Sequence, residues 1–75
     1  MTELLRYIAS SLVDHPEMIE IKETRGADSL ILELHVHPDD MGKVIGKQGR
    51  IAKSIRSVVK AAAVKNPVPV FVEII

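Results

Sequence analysis

The apolar positions of this chain change period several times, and each change marks a predicted element. The N-terminal segment follows a helical period after a candidate N-cap at Thr2. Its apolar stripe consists of Leu4, Leu5, Ile8, Leu12 and Val13. We expect the helix to end at Asp14-His15-Pro16, because the residue before a proline is disfavoured in the helical region.

Two runs with a period of two follow and predict an antiparallel hairpin. Between residues 17 and 24, Ile19 and Ile21 alternate with charged residues, as in a strand with one wet face. After a turn predicted over residues 25–28, the run from residue 30 to 37 alternates more cleanly, and one of its two faces is purely aliphatic. That aliphatic face consists of Leu30, Leu32, Leu34 and Val36. A short turn between two alternating runs is typical of a hairpin.

The second half predicts two helices and a last strand. Pro38 suits the first position of a short helix, with Asp39 and Asp40 in its positively polarised first turn and Gly46 at its end. A longer helix is predicted from Arg50 to the stop at residues 66–67. Its predicted inward residues are Ile51, Ile55, Val58, Val59 and Ala62. Residues 68–74 alternate again, so the order α-β-β-α-α-β predicts an α+β fold, a three-stranded sheet with three helices packed on one face, in one domain over 1–75.

Composition excludes several classes of protein. The 75 residues are 47% hydrophobic, enough for a small core, and the chain has no cysteine. Disulfides, thiolate metal sites and cysteine nucleophiles are therefore excluded. The segment from Met1 to Arg6 mixes acidic and basic residues without a long apolar run, which argues against a signal peptide or membrane span. We expect a cytoplasmic protein without a membrane partner.

Charge is balanced overall but unevenly distributed. Ten basic and ten acidic residues cancel, yet residues 43–65 contain seven of the basic residues and no acid. The basic residues of this run are Lys43, Lys47, Arg50, Lys53, Arg56, Lys60 and Lys65. A charge run alone most often marks a solvated helix face. The function of this basic run must therefore be inferred from the motif that it contains.

The run contains the loop Gly46-Lys47-Gln48-Gly49 between the two predicted helices. Gly46 can adopt the left-handed conformation that closes the first helix, and Gly49 leaves no side chain between the backbone and a ligand. The amide groups at the start of the next helix, together with the helix dipole, form a phosphate site. Lys47 and Arg50 add positive charge beside it.

The longer string Val44-Ile45-Gly46-Lys47-Gln48-Gly49-Arg50 resembles the signature of KH domains. The element order is that of the type II KH fold, so the resemblance covers the whole chain, and its length is similar to that of stand-alone bacterial KH proteins of the KhpA type. One departure is Ala52, where KH domains usually have isoleucine. The resemblance implies an RNA-binding protein, a post-transcriptional regulator or RNA chaperone without a cofactor. It also implies self-association and pairing with a second KH protein of the Jag type.

That resemblance further implies a groove that clamps about four unpaired nucleotides of single-stranded RNA. Its walls would be the short helix, the glycine loop, the start of the long helix and a neighbouring strand. The candidate phosphate contacts are Lys43, Lys47, Arg50 and Lys53. Val44, Ile45 and Ile51 are candidates for apolar contact with bases, and core packing is the competing interpretation. The chain's aromatic residues, Tyr7 and Phe71, lie outside the basic run, so base stacking is not expected to dominate affinity.

Two other residue patterns are weaker candidates for a metal site or an acid–base site. His35 and His37 lie two apart on one predicted strand face without an evident third metal ligand, so we expect no metal there. Asp39 and Asp40 point about 100° apart on a helix and cannot share one acid–base site, so no enzyme activity is expected.

Near its C-terminal end, the long helix has more apolar residues than one buried face requires. From Val58 and Ala61 we predict a two-fold homodimer interface.

Three alternatives remain open from sequence. The basic helix could dock an acidic protein, which would make the chain an interaction adaptor. The groove could take single-stranded DNA instead of RNA. Residues 38–65 could form a helix-turn-helix for duplex DNA, although the predicted recognition helix lacks Asn and Gln for reading base edges.

Overall fold

A computed structural model describes residues 1–75 and contains three α-helices and three strands. The elements are α1 (Thr2–Ser10), β1 (Glu20–Arg25), β2 (Leu30–His35), α2 (Met41–Ile45), α3 (Arg50–Ala62) and β3 (Val70–Ile74). Short 3₁₀ turns at Pro16–Met18, Pro38–Asp40 and Lys47–Gly49 connect them. The predicted order α-β-β-α-α-β is confirmed.

The three strands form one mixed sheet in the order β1-β2-β3. β1 and β2 pair antiparallel, as the hairpin prediction required, with Ile21 opposite Leu34. β2 and β3 pair in parallel, with Leu32 opposite Val72. A parallel pair needs a crossover connection, and here α2, the glycine loop and α3 form it. β3 is consequently an edge strand beside α3.

The core lies between one face of the sheet and the helices. Leu32 and Leu34 of the central strand are fully buried, and residues of all three helices join the same apolar cluster. The helical contribution comes from Leu5, Ala9, Val44, Ile55 and Val59. The strict alternation of β2, buried at 30, 32 and 34 and half-buried between, is the alternation that the sequence predicts.

The N-terminal boundaries differ from the prediction. Thr2 is not the N-cap: Met1 takes that position, and the Thr2 hydroxyl donates to the Glu23 carboxylate at 3.1 Å. α1 also ends earlier, at Ser10. β1 begins only at Glu20, because Pro16 opens a 3₁₀ turn where a strand was expected.

The inward face of α3 also differs from the prediction. Val58 is 48% exposed and Ala62 is exposed as well, so both were wrongly placed in the core. The buried positions of this helix and its C-terminal turn are Ala52, Ile55, Val59 and Ala63. Two of these four positions are alanines, which a ranking by hydrophobic size does not favour as core residues.

Candidate nucleic-acid interface

The loop between α2 and α3 begins at a glycine that no other residue can replace without strain. Gly46 has φ 77° and ψ 175°, a region that is essentially restricted to glycine. A Cβ atom at this position would lie 2.5 Å from Cγ1 of Ile51, well inside van der Waals contact. Gly46 is therefore required both by its backbone conformation and by the close approach of α3.

The rest of the loop turns outward. Gln48 (φ 59°, ψ 25°) is the one non-glycine residue with positive φ, and Gly49 (φ 73°, ψ 14°) is left-handed. A Cβ at Gly49 would meet nothing within 4 Å, so open space lies above this backbone. Lys47 and Gln48 are exposed. No side chain caps the N-terminus of α3, so its positive end is accessible at the loop.

A row of cations leads away from the loop along α3. Arg50 donates to the Gln48 side-chain oxygen at 3.3 Å, which holds these two residues together at the tip. Lys53 is exposed, and neither it nor Lys47 has a carboxylate within 4.0 Å. The predicted contacts Lys47, Arg50 and Lys53 thus lie on one continuous, unpaired basic surface.

Lys43 stands apart from that row. Its ammonium group pairs with Asp14 and lies 3.5 Å from Asp40. The hydrogen bond to Asp14 raises the pKa of Lys43, and the negative charge of Asp40 adds to this effect. A phosphate would have to compete with two carboxylates for this side chain. Of the four predicted phosphate contacts, Lys43 is the one whose charge is already neutralised.

Asp40 anchors the segment before the loop. Its carboxylate is 1% exposed and accepts the backbone N–H groups of Asp14 at 3.2 Å and His15 at 3.0 Å. Burial by itself would raise the pKa of Asp40, but the two N–H donors, His15 and Lys43 lower it below its usual value. The sequence indicated only a charge complementary to the helix dipole. Its real role depends on partners 25 residues away, which no local pattern reveals.

The three apolar candidates divide into two groups. Val44 is fully buried in the core and therefore offers no surface to a base. Ile45 and Ile51 are half-buried and pack against the core. The competing interpretation, core packing, holds for Val44.

A cleft of about 780 Å³ lies between the C-terminal half of α3, the α3–β3 connection and β3. Arg56 and Lys60 line its helical side, and β3 from Val70 to Glu73 lines the other. Arg56 crosses the cleft, with its Nε donating to the Val72 carbonyl at 3.2 Å. Arg56 and Lys60 were not among the site residues predicted from the sequence. The signal was present, since Arg56 follows Lys53 by three residues and Lys60 follows Arg56 by four, so the three side chains share one side of the helix.

Phe71 also lines this cleft and is 54% exposed. In sequence it lies outside the basic run, but β3 brings it beside Arg56 and Lys60. The expectation that no aromatic ring lies near the basic residues is therefore wrong for Phe71. Val58 and Ala61, the predicted dimer residues, are exposed on α3 and do not line the cleft.

Comparison with known proteins identifies the family of this chain. A family model described as "KhpA/KhpB, KH domain" matches residues 2–74. The chain belongs to this KH family. The type II KH fold and the KhpA type predicted from the motif are thereby confirmed. The RNA-binding protein KhpA of Clostridium perfringens is 64% identical over 75 residues, the full length of both chains. KhpA of Chlamydia pneumoniae is 47% identical over 74 residues, 99% of this chain and 95% of that protein.

Solved structures show a similar fold inside a larger protein. A region of Aquifex aeolicus Era, Y63A variant bound to GDP and aluminium fluoride, superposes on 96% of this chain with a TM-score of 0.65. Sequence identity is 24%, and the match covers 28% of that Era chain. The likeness therefore concerns the fold alone.

None of the helices of this KH protein is long and apolar enough to span a membrane.

Proposed function

We propose that this protein binds single-stranded RNA in a groove that starts at the Gly46–Gly49 loop and continues into the cleft between α3 and β3. The observation that carries the proposal is the uncapped N-terminus of α3, which opens at an outward-turned glycine loop beside unpaired cations. Relatives along the full length are named RNA-binding proteins KhpA. We further propose a role as a post-transcriptional regulator or RNA chaperone, both of which act through RNA binding.

The loop is the proposed phosphate clamp. A phosphate at the N-terminus of α3 gains from the backbone amides and from the helix dipole. The open space above Gly49 lets the nucleic-acid backbone approach closely. Lys47 and Lys53 neutralise charge on either side, and Arg50, held by Gln48, presents a guanidinium suited to phosphate geometry.

The cleft is the proposed base-binding surface. β3 pairs with β2 through the peptide groups at Pro69 and Ile75. In a parallel pair only alternate residues bond to the partner strand, so the peptide groups of residues such as Val70 and Val72 point toward the cleft. The Arg56 contact with the Val72 carbonyl supports this direction. Peptide groups on a strand edge offer donors and acceptors to base edges, and Phe71 adds one apolar ring. Val70 and Val72 have their side chains in the core, so the strand is a rigid wall.

The decisive experiment is competition binding with two short unstructured oligonucleotides of the same sequence, one RNA and one DNA. Labelled RNA should be displaced by unlabelled RNA. Equal displacement by the DNA strand would favour a single-stranded DNA binder. Failure of both strands to bind would overturn the proposal and favour the adaptor that docks an acidic protein through the basic helix.

We also infer that α3 mediates association. Val58, 48% exposed, and Ala61 lie three residues apart on the helix surface, clear of the cleft. Small side chains allow two helices to approach closely, and a two-fold pairing places the same patch on both subunits. Such a homodimer leaves both grooves open and raises avidity for longer RNA. We propose the same patch, Val58 and Ala61, as the contact for a second KH protein of the Jag type.

A further inference from the structure

Two histidines far apart in sequence meet at the end of the molecule where α2 begins. The ring centroids of His15 and His37 are 4.3 Å apart, with 30° between the ring planes. The buried Asp40 carboxylate fixes this meeting, because it holds the backbone N–H groups of Asp14 and His15 and so pins the α1–β1 loop against the 3₁₀ turn. The His37 partner is thus His15, and not the neighbouring His35 suggested by the sequence.

Asp39 completes a set of three side chains that can bind a metal ion. One ligand atom each from His15, His37 and Asp39 lies within 4.8 Å of the other two. The side chains remain accessible, with relative exposures of 40% for His15, 31% for His37 and 80% for Asp39. An ion from solvent can therefore reach all three without opening the core.

The charge around these ligands also favours a cation. Glu17 lies 3.8 Å from His15, Asp39 lies 3.7 Å from His37, and Asp14 and Asp40 flank the same loop. Lys43 is the cation that pairs with this group. Four carboxylates against one ammonium leave a formal charge of −3 around the two imidazoles. This end is acidic, in contrast to the basic row on α3.

We propose that His15, His37 and Asp39 form a binding site for one divalent late first-row transition-metal ion, with Zn²⁺ as its probe. Two imidazoles and a carboxylate suit Zn²⁺, and the absence of thiolates disfavours softer ions. In a tetrahedral Zn²⁺ site the ligand atoms lie about 3.3 Å apart, since each Zn–N bond is about 2.0 Å. Side-chain rotations of these accessible residues close the remaining distance, and water takes the fourth position.

Coordination requires one local rearrangement. Nδ1 of His37 accepts a hydrogen bond from the Asp39 backbone N–H at 3.0 Å. If Nδ1 binds the ion, the metal bond replaces this exposed hydrogen bond, and the N–H of Asp39 turns to solvent. The ion would then cross-link the α1–β1 loop to the start of α2, so the folded state should gain stability with metal concentration.

The test is calorimetric titration of chelator-treated protein with Zn²⁺, using His35→Ala as the matched control. His35 is an equally accessible histidine, 40% exposed and 4.0 Å from Glu33, but it lies on the sheet face outside the site. The wild type and His35→Ala should bind one equivalent equally well. His15→Ala, His37→Ala and Asp39→Asn should each weaken binding about tenfold or more. Equal loss in His35→Ala, or no loss in His15→Ala, would overturn the site.

Side-chain NMR of the wild type provides a second measurement that depends on no variant. On addition of Zn²⁺, the imidazole signals of His15 and His37 should shift together while those of His35 stay in place. Saturation at one equivalent supports the site. A shift of all three histidines in parallel, or of none, would contradict it.

Discussion

Gly46 and Ile51 are in such close contact across the glycine loop that there is no room for a Cβ atom on residue 46. Such an atom would lie 2.5 Å from Cγ1 and 2.9 Å from Cβ of Ile51. The end of α2 is thus fitted against the first turn of α3. This contact fixes the direction in which the loop residues Lys47 and Gln48 project into solvent.

The two loop glycines should consequently respond differently to alanine. Gly46→Ala combines a clash with a backbone region restricted to glycine, and should destabilise the fold by on the order of 3 kcal/mol. Gly49→Ala meets nothing within 4 Å and should cost only about 1 kcal/mol for its left-handed backbone. Urea unfolding of both variants measures the difference. Equal losses would mean that the Ile51 contact is not a constraint.

The loop should be separable from the fold. Lys47→Asp with Gln48→Asp should abolish most RNA binding, because two carboxylates would face the phosphate at the N-terminus of α3. Both side chains are exposed, so each change should alter stability by only about 0.5 kcal/mol. Fluorescence anisotropy and thermal melting on the same sample provide both values.

The matched control for this loop variant is Arg25→Asp with Ala27→Asp. It makes the same change in charge at two exposed residues, one at the end of β1 and one in the β1–β2 turn, that do not line the cleft. It should retain RNA affinity apart from a small electrostatic decrease. A folded loop variant that binds as well as the control would show that the loop is not the site.

RNA affinity should depend on salt to a moderate degree. The chain has no net charge, and three or four basic side chains of the groove can reach phosphates together. For single strands each such contact contributes about −0.7 to the log–log slope, so we expect roughly −2 to −3. Lys53→Gln should make this slope shallower by about 0.7, whereas Lys22→Gln on β1 should leave it unchanged. A nearly flat slope for the wild type would indicate that the basic row does not contact the RNA backbone.

The periodicity of the apolar residues predicted the order of the elements. Each element buries one face, so its pattern is visible within a short stretch of sequence. The alternation of Leu30, Leu32 and Leu34 is the clearest example, and all three are buried as expected. The glycine motif likewise located the loop, since φ values of 77° at Gly46 and 73° at Gly49 are local requirements.

Contacts between distant segments were not predictable in this way. The burial of Asp40 depends on N–H groups 25 and 26 residues away, and the pairing of Arg56 with Val72 depends on the parallel placement of β3. The phase of α3 was also misjudged at Val58, which is exposed, whereas the smaller Ala52 is buried in the same helix.

The Asp40 anchor should make stability depend on pH in the acidic range. The pKa of Asp40 is lower in the folded state than its usual value of 3.8, so its contribution is complete above that pH. It should disappear as pH falls from 3.8 through the lower folded-state pKa. Asp40→Asn removes the charge and one of the two acceptors. This variant should therefore be less stable than the wild type near neutral pH, and the difference should shrink below pH 3.8.

Paired urea titrations of the two proteins across this range measure the Asp40 contribution, because titration of all other carboxylates is common to both. A difference that stays constant down to strongly acidic pH would show that the carboxylate charge does not hold the α1–β1 loop.

Association through α3 should be removable without loss of the fold. Val58 is 48% exposed, so Val58→Asp should change monomer stability by only about 0.5 kcal/mol while placing two like charges face to face across a two-fold interface. The variant should sediment as a monomer and bind long RNA more weakly, with little change for a four-nucleotide ligand, because only avidity is lost. Ser10→Asp, which adds the same charge on α1, should behave as the wild type. Wild-type protein that sediments as a monomer at high micromolar concentration would contradict the interface.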